Sequence, residues 1–179
     1  TFLDKAAAAG VADTSKTIGT AAGDFDGDGF IDLYAANIGE LNRLYRNVGD
    51  GTFSDVAESA GVLFPVEGSY VAFFFDLDND GDDDLFTSRD AWEGRAPNSL
   101  YRNDSGSFSD IALHAGLADS VDSFTATWLD FDLDGYLDLY VANGISGSGL
   151  GNSLLHNQKN GTFLDKAAAA GVADTSKTI

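Results

Sequence analysis

The chain has 179 residues, 44% of them apolar, with 13 Phe, 6 Tyr and 2 Trp, which fits one domain with a packed core and not a disordered segment. Its formal charge of −19, with only 10 Lys and Arg, excludes the basic footprint that nucleic-acid binding needs. No apolar run of about 18 residues is present, so no membrane-spanning helix is expected. The chain has no cysteine, which does not by itself place it in a compartment.

In chain order, residues 1–18 open with Thr1-Phe2-Leu3-Asp4, an alanine run and Ala9-Gly10-Val11. They predict one extra outer strand and a linker. The alanine run at 5–9 reads as the end of that strand plus a turn, because the same slot later holds Val56-Ala-Glu-Ser-Ala60. An apolar strand is predicted over 18–24, then a loop, a second strand from Asp32, a third over 43–47 and a fourth from Phe53. Ala60-Gly61-Val62 closes this unit.

The next unit repeats the order. Val71-Ala-Phe-Phe-Phe75 lacks polar alternation and is expected to be buried on both faces. A loop follows, then a strand from Asp84, a long connection at 90–97 carrying Trp92 and Arg95, Leu100-Tyr-Arg-Asn103, and a strand from Phe108. The third unit has a strand over 124–130, one from Asp138, a Gly-rich connection at 147–151, Leu154-Leu-His-Asn157, and a strand from Phe163. The turns between third and fourth strands carry Gly-rich hairpin chemistry.

Units of about 50 residues with four antiparallel strands are propeller blades. The predicted class is therefore all-β: a β-propeller with three four-stranded blades and one extra strand. Residues 1–18 form the extra strand and linker, 19–67 the first blade, 68–121 the second, and 122–179 the third with its following linker. Three blades are fewer than the about 4–8 that close a ring, so completion by other copies is expected. Residues 1–18 are also identical to residues 162–179, whereas the other repeats agree only at motif positions.

Each blade carries one loop of the pattern D-x-D-x-D-G-x-x-D: Asp24, Asp26, Asp28 and Asp32; Asp76, Asp78, Asp80 and Asp84; Asp130, Asp132, Asp134 and Asp138. Four carboxylates within nine residues repel one another unless a cation holds them. The Gly at position 6 permits the backbone reversal around an ion. All-oxygen donors suit Ca²⁺; zinc and copper favour His or Cys. Three Ca²⁺ sites are expected. Shallow loops of this kind bind with Kd of roughly 10⁻⁴–10⁻³ M, which only extracellular calcium saturates, so an extracellular or cell-surface location is expected.

At these residues the chain resembles the FG-GAP/VCBS-type repeats of integrin-α-like β-propellers, in the subgroup with N-x-L-Y-R-N, G-x-F-x-D and A-G-V signatures. The resemblance implies a Ca²⁺-stabilised propeller of six or seven blades, with cation sites between the first and second strands and a role in adhesion or ligand binding. It implies as ligands the four aspartates of each loop, with the main-chain oxygens of Phe30, Asp82 and Tyr136.

Other chemistries fit less well. An EF-hand requires an acidic residue at position 12, where Ala35, Thr87 and Val141 stand, and it requires flanking helices. A glycosidase pair would not recur in every blade. The four Glu (Glu40, Glu58, Glu67, Glu93) lie outside the loops, and His114 and His156 have no nucleophile at a recognisable spacing. His156 takes the slot of Arg46 and Arg102 and reads as a strand residue. The recurring Asn42/Asn98/Asn152 and Asn47/Asn103/Asn157 read as turn and inter-strand hydrogen bonding. Asn103 and Asn160 begin glycosylation sequons. The expected function is a non-catalytic module for extracellular adhesion, ligand binding or self-assembly; the alternative is a scaffold or carbohydrate-binding portion of a larger secreted enzyme. The expected partners are further copies of the chain and a protein or glycan ligand, with Trp92 and Arg95 as contact candidates.

Overall fold

In the computed structural model the described residues are 1–63, 69–89, 97–117, 123–143 and 151–173. They build three four-stranded antiparallel sheets, each formed by strands consecutive in the chain. The first contains β1 (Lys16–Gly23), β2 (Asp32–Ile38), β3 (Arg43–Asn47) and β4 (Phe53–Asp55). The second contains β5 (Ser69–Phe75), β6 (Asp84–Arg89), β7 (Ser99–Asp104) and β8 (Ser107–Asp110). The third contains β9 (Ser123–Leu129), β10 (Asp138–Asn143), β11 (Ser153–Asn157) and β12 (Phe163–Asp165). The predicted sheets are thus present, with strand ends shifted by one or two residues. Residues 90–96 of the second unit's long connection, with Trp92 and Arg95, and residues 147–150 of the third unit's lie outside the described residues.

Each hairpin register starts at the loop, with Gly23 facing Asp32, Phe75 facing Asp84 and Leu129 facing Asp138. Successive sheets stack face to face, β1 and β2 against β5, and β5 and β6 against β9. Two apolar clusters fill the seams. Phe25, Tyr34, Leu44, Val62, Leu85 and Phe108 close the first; Leu77, Phe86, Leu100, Leu117, Leu139 and Val141 close the second. Neighbours on both sides explain why β2 carries a run of buried residues without polar alternation. The first seam is tight enough to demand glycine: a Cβ on Gly19 would lie 2.5 Å from the Tyr70 main-chain oxygen.

The alanine runs correct the sequence reading. They form single helical turns, α1 (Ala6–Ala9), α2 (Ala57–Ala60), α3 (Ala112–Ala115) and α4 (Ala167–Ala170), and are not strand ends. The Asp of each F-x-D motif accepts from the first helical amide: Asp4 from Ala6 N, Asp55 from Ala57 N, Asp110 from Ala112 N and Asp165 from Ala167 N, all within 2.8–3.1 Å. The following Gly stops each turn in the left-handed region, φ 73–84°. The next residue then closes it, as Val62 N donates to Ala57 O at 3.0 Å. Val62 and Leu117 plug the two seams, which is the structural content of the A-G-V signature. The extra strand expected near Phe2 does not form: residues 1–5 lie outside any strand, and Asp4, accepting from Ala6 N, turns the chain into α1 instead.

Candidate metal centre

The loops sit at the β1–β2, β5–β6 and β9–β10 connections, where the register of each hairpin delivers position 1 and position 9 side by side. Position 1 shapes the loop. Asp24 accepts from Asp28 N at 3.1 Å and Gly29 N at 2.8 Å; Asp76 accepts from Asp80 N and Gly81 N at 3.2 and 3.1 Å; Asp130 accepts from Asp134 N and Gly135 N, both at 3.0 Å. The position-6 glycines have φ of 88°, 95° and 89°, so the reversal requires glycine there. Position 4 is also left-handed, and blade 3 places Leu133 there at φ 60°.

Position 9 is buried in all three loops and holds two parts of its blade together. Asp32 accepts from Phe25 N at 3.2 Å and Asn47 N at 2.7 Å. Asp84 accepts from Leu77 N and Asn103 N, both at 2.7 Å, and Asp138 from Phe131 N at 3.2 Å and Asn157 N at 2.8 Å. Burial pushes the Asp84 carboxyl up to about 7 despite these two amides, with Asp78 and Asp80 adding repulsion. Burial also raises the Asp32 carboxyl, and desolvation with the charges of Asp80 and Asp76 raises Asp78.

Positions 1, 3 and 9 converge in every loop. One carboxylate oxygen each from Asp24, Asp26 and Asp32 lies within 4.8 Å of the others, and the same holds for Asp76, Asp78 and Asp84 and for Asp130, Asp132 and Asp138. Asp26 Oδ1 is buried and has no hydrogen-bond partner. A buried, unpaired carboxylate oxygen beside two more carboxylates fits a hard cation and is costly without one.

Position 5 is not among these converging carboxylates; in blade 3 Asp134 instead groups with Asp132 and His156, one ligand atom of each within 4.8 Å of the others. Asp28, Asp80 and Asp134 accept from the amides of Phe30, Asp82 and Tyr136 at 2.9–3.0 Å, which ties those three residues into the same turn. Asp28 also pairs with Arg46 at 3.0 Å and Asp134 with Lys159 at 3.0 Å. The amide of Phe30 lowers the Asp28 carboxyl, and Lys159 lowers that of Asp134. These basic groups were missed by the sequence reading. Arg46 Nε also contacts Asp26, and in blade 3 His156 Nε2 lies 2.9 Å from Asp132 Oδ2. The available signal was alternation in the third strand: the residue before its terminal Asn points to the loop. His156 is a strand residue, as expected.

The Asn residues form hydrogen bonds as expected, and several of these cross blades. Asn42 Nδ2 reaches Ser69 Oγ at 3.1 Å and Asn98 Nδ2 reaches Ser123 Oγ at 2.9 Å in the following blade. In the other direction Asn103 Nδ2 donates to Phe25 O at 2.7 Å and Asn157 Nδ2 to Leu77 O at 3.2 Å. Asn103 is buried with its amide fully engaged, so its sequon offers no acceptor in the folded chain; Asn160 is exposed.

FG-GAP-like repeats match residues 24–87 and 76–141, and the chain belongs to this family. Among curated relatives it is similar to human cartilage acidic protein 1, 32% identical over 156 residues, covering 82% of this chain and 23% of that protein. The mouse protein of the same name is 32% identical and the Xenopus tropicalis protein 30% identical over the same length. The chain therefore spans about a quarter of the length of the curated relatives it matches. No described helix is long and apolar enough to cross a membrane.

Proposed function

We propose that the chain is a non-catalytic, Ca²⁺-stabilised extracellular repeat module whose blade surfaces serve adhesion or bind a protein or glycan. The observation carrying this reading is the convergence of three carboxylates at the same place in three equivalent loops, with Asp26 Oδ1 left unpaired. Asp24, Asp26 and Asp32, Asp76, Asp78 and Asp84, and Asp130, Asp132 and Asp138 would hold the ions. Asp28, Asp80 and Asp134 would join them by exchanging their present partners, with the carbonyls of Phe30, Asp82 and Tyr136 completing the shells. The ion supplies charge neutralisation, so the loop clips the two innermost strands together. A repeated carboxylate set in every blade supports a structural role and not an acid–base pair. Weak loops of this type, and relatives named for cartilage, support a location outside the cell.

Thermal unfolding in calcium and in metal-free buffer tests the reading. A site with Kd of roughly 10⁻⁴ M contributes about 2 kcal/mol at about 2 mM Ca²⁺, so three sites shift the midpoint by many degrees. Equal midpoints in the two buffers would remove the structural role of the ion.

A further inference from the structure

The two copies of the repeated segment occupy complementary halves of one slot. Within the chain, α2 packs on β3 of its own blade and on β8 of the next. Gly61 is its contact with the next blade, since a Cβ there would lie 2.9 Å from Phe108 O. The N-terminal copy makes only the forward half: a Cβ on Gly10 would lie 3.1 Å from Phe53 O, and no residue of α1 is buried. The C-terminal copy makes only the backward half, with Lys166 N donating to Leu154 O at 2.7 Å and α4 lying on β11. Ala60 and Ala115 are buried, but the matching Ala170 is exposed, and Val172 is 38% exposed where Val62 and Leu117 are buried.

The polar bonds of the seams show the same two halves. Asn103 and Asn157 each donate to a loop carbonyl of their own blade and to one of the preceding blade. Asn47 donates to Ile31 O at 3.1 Å, its own loop. By register the missing acceptor is the carbonyl of Phe131, a residue 39% exposed where its counterparts Phe25 and Leu77 are buried. Likewise Asn42 and Asn98 bond Ser69 and Ser123. The matching pair is Asn152 with Thr17, which is exposed on the outer face of blade 1 beside Thr20 and Ala22.

We propose that the outer face of blade 3 docks on the outer face of blade 1 of a second copy of this three-blade unit, head to tail, with a single copy of the repeated segment lodged in the slot between them. Either copy fills it, because they are identical, and the other is displaced. Such a heterologous contact closes a ring or extends into a chain, and two copies supply six blades, within the range of closed propellers.

The test is the solution mass of the 179-residue chain in calcium. The expected mass is twice 18.8 kDa or a higher whole multiple. Thr20→Arg on one face, and Val11→Lys together with Val172→Lys so that neither copy of the segment can fill the slot, each checked for folding by circular dichroism, are expected to return it to 18.8 kDa. Leu113→Lys, at an exposed site on α3 away from both faces, is expected to leave the assembly intact. A wild-type monomer at every concentration, an assembly indifferent to both face variants, or one equally lost with Leu113→Lys would overturn the proposal. The mass reads the seam and the calcium melt reads the loops, so either idea can fail alone.

Discussion

Asp84→Asn isolates the electrostatic cost of a buried loop carboxylate. Asp84 titrates at about 7 in the folded chain against 3.8 for the free side chain. Between those values the folded state keeps a proton that the unfolded state has released. The stability tied to that proton is therefore complete below about pH 4 and is lost as pH rises through about 7. A displacement of this size has a ceiling of about 4 kcal/mol, and solvent at the loop rim reduces it to roughly 2 kcal/mol. Asp32 and Asp78 are raised too and act in the same direction. Asp28 and Asp134 are lowered, so their contribution falls below about pH 4, outside the window. Urea unfolding of metal-stripped protein from pH 5 to 8 is expected to show falling stability, with a shallower slope in Asp84→Asn. In saturating calcium the wild-type slope reverses, because the ion requires ionised carboxylates. A metal-stripped wild type that gains stability toward pH 8, or a variant with an unchanged slope, would refute the reasoning.

Leu133 stands 86% exposed with φ 60°, a conformation that costs a non-glycine residue about 1–2 kcal/mol. Leu133→Gly is expected to raise the urea midpoint by about 1 kcal/mol in stability; a lower midpoint would show that the leucine makes a contact. Gly19→Ala sets a methyl group against the Tyr70 carbonyl at 2.5 Å, and backbone cannot rotate away. The expected loss is about 1–3 kcal/mol in denaturant unfolding, and an unchanged midpoint would mean that the first seam is looser than described.

Much of this fold was legible because its signals are local and repeated. Phe53 and Asp32 start strands where period-2 and loop chemistry place them, and the three sheets follow from three copies of one pattern. The helical turns were hidden because four residues are too few for a helical period. Their signals were instead the capping Asp and the left-handed Gly, as at Asp55 and Gly61. The aspartate clusters were legible as a group, but the division of labour within them was not. Nothing in D-x-D-x-D-G-x-x-D shows that Arg46 binds both Asp28 and Asp26 while only Asp26 also joins the cluster, because Arg46 arrives from a strand fourteen residues beyond position 9. The role of the Asn slots across blades was also beyond reach, since Asn103 and Phe25 are 78 residues apart.

Position 9 explains why loop and seam form one structure. Asp32 accepts from Phe25 N, and Phe25 O accepts from Asn103, whose own amide donates to Asp84. Asp84 accepts in turn from Leu77 N, and Leu77 O accepts from Asn157, whose amide donates to Asp138. A single run of main-chain amides and carboxylates therefore joins the three clusters through both seams. Truncating one position-9 carboxylate strands two buried amides, at about 1–3 kcal/mol each. One of those amides belongs to the Asn that seals the preceding seam, where such an Asn exists. Damage at a loop thus spreads to the neighbouring blade whatever occupies the loop. Blade packing selects a buried Asp at position 9, while a cation selects carboxylates at positions 1 and 3 beside it.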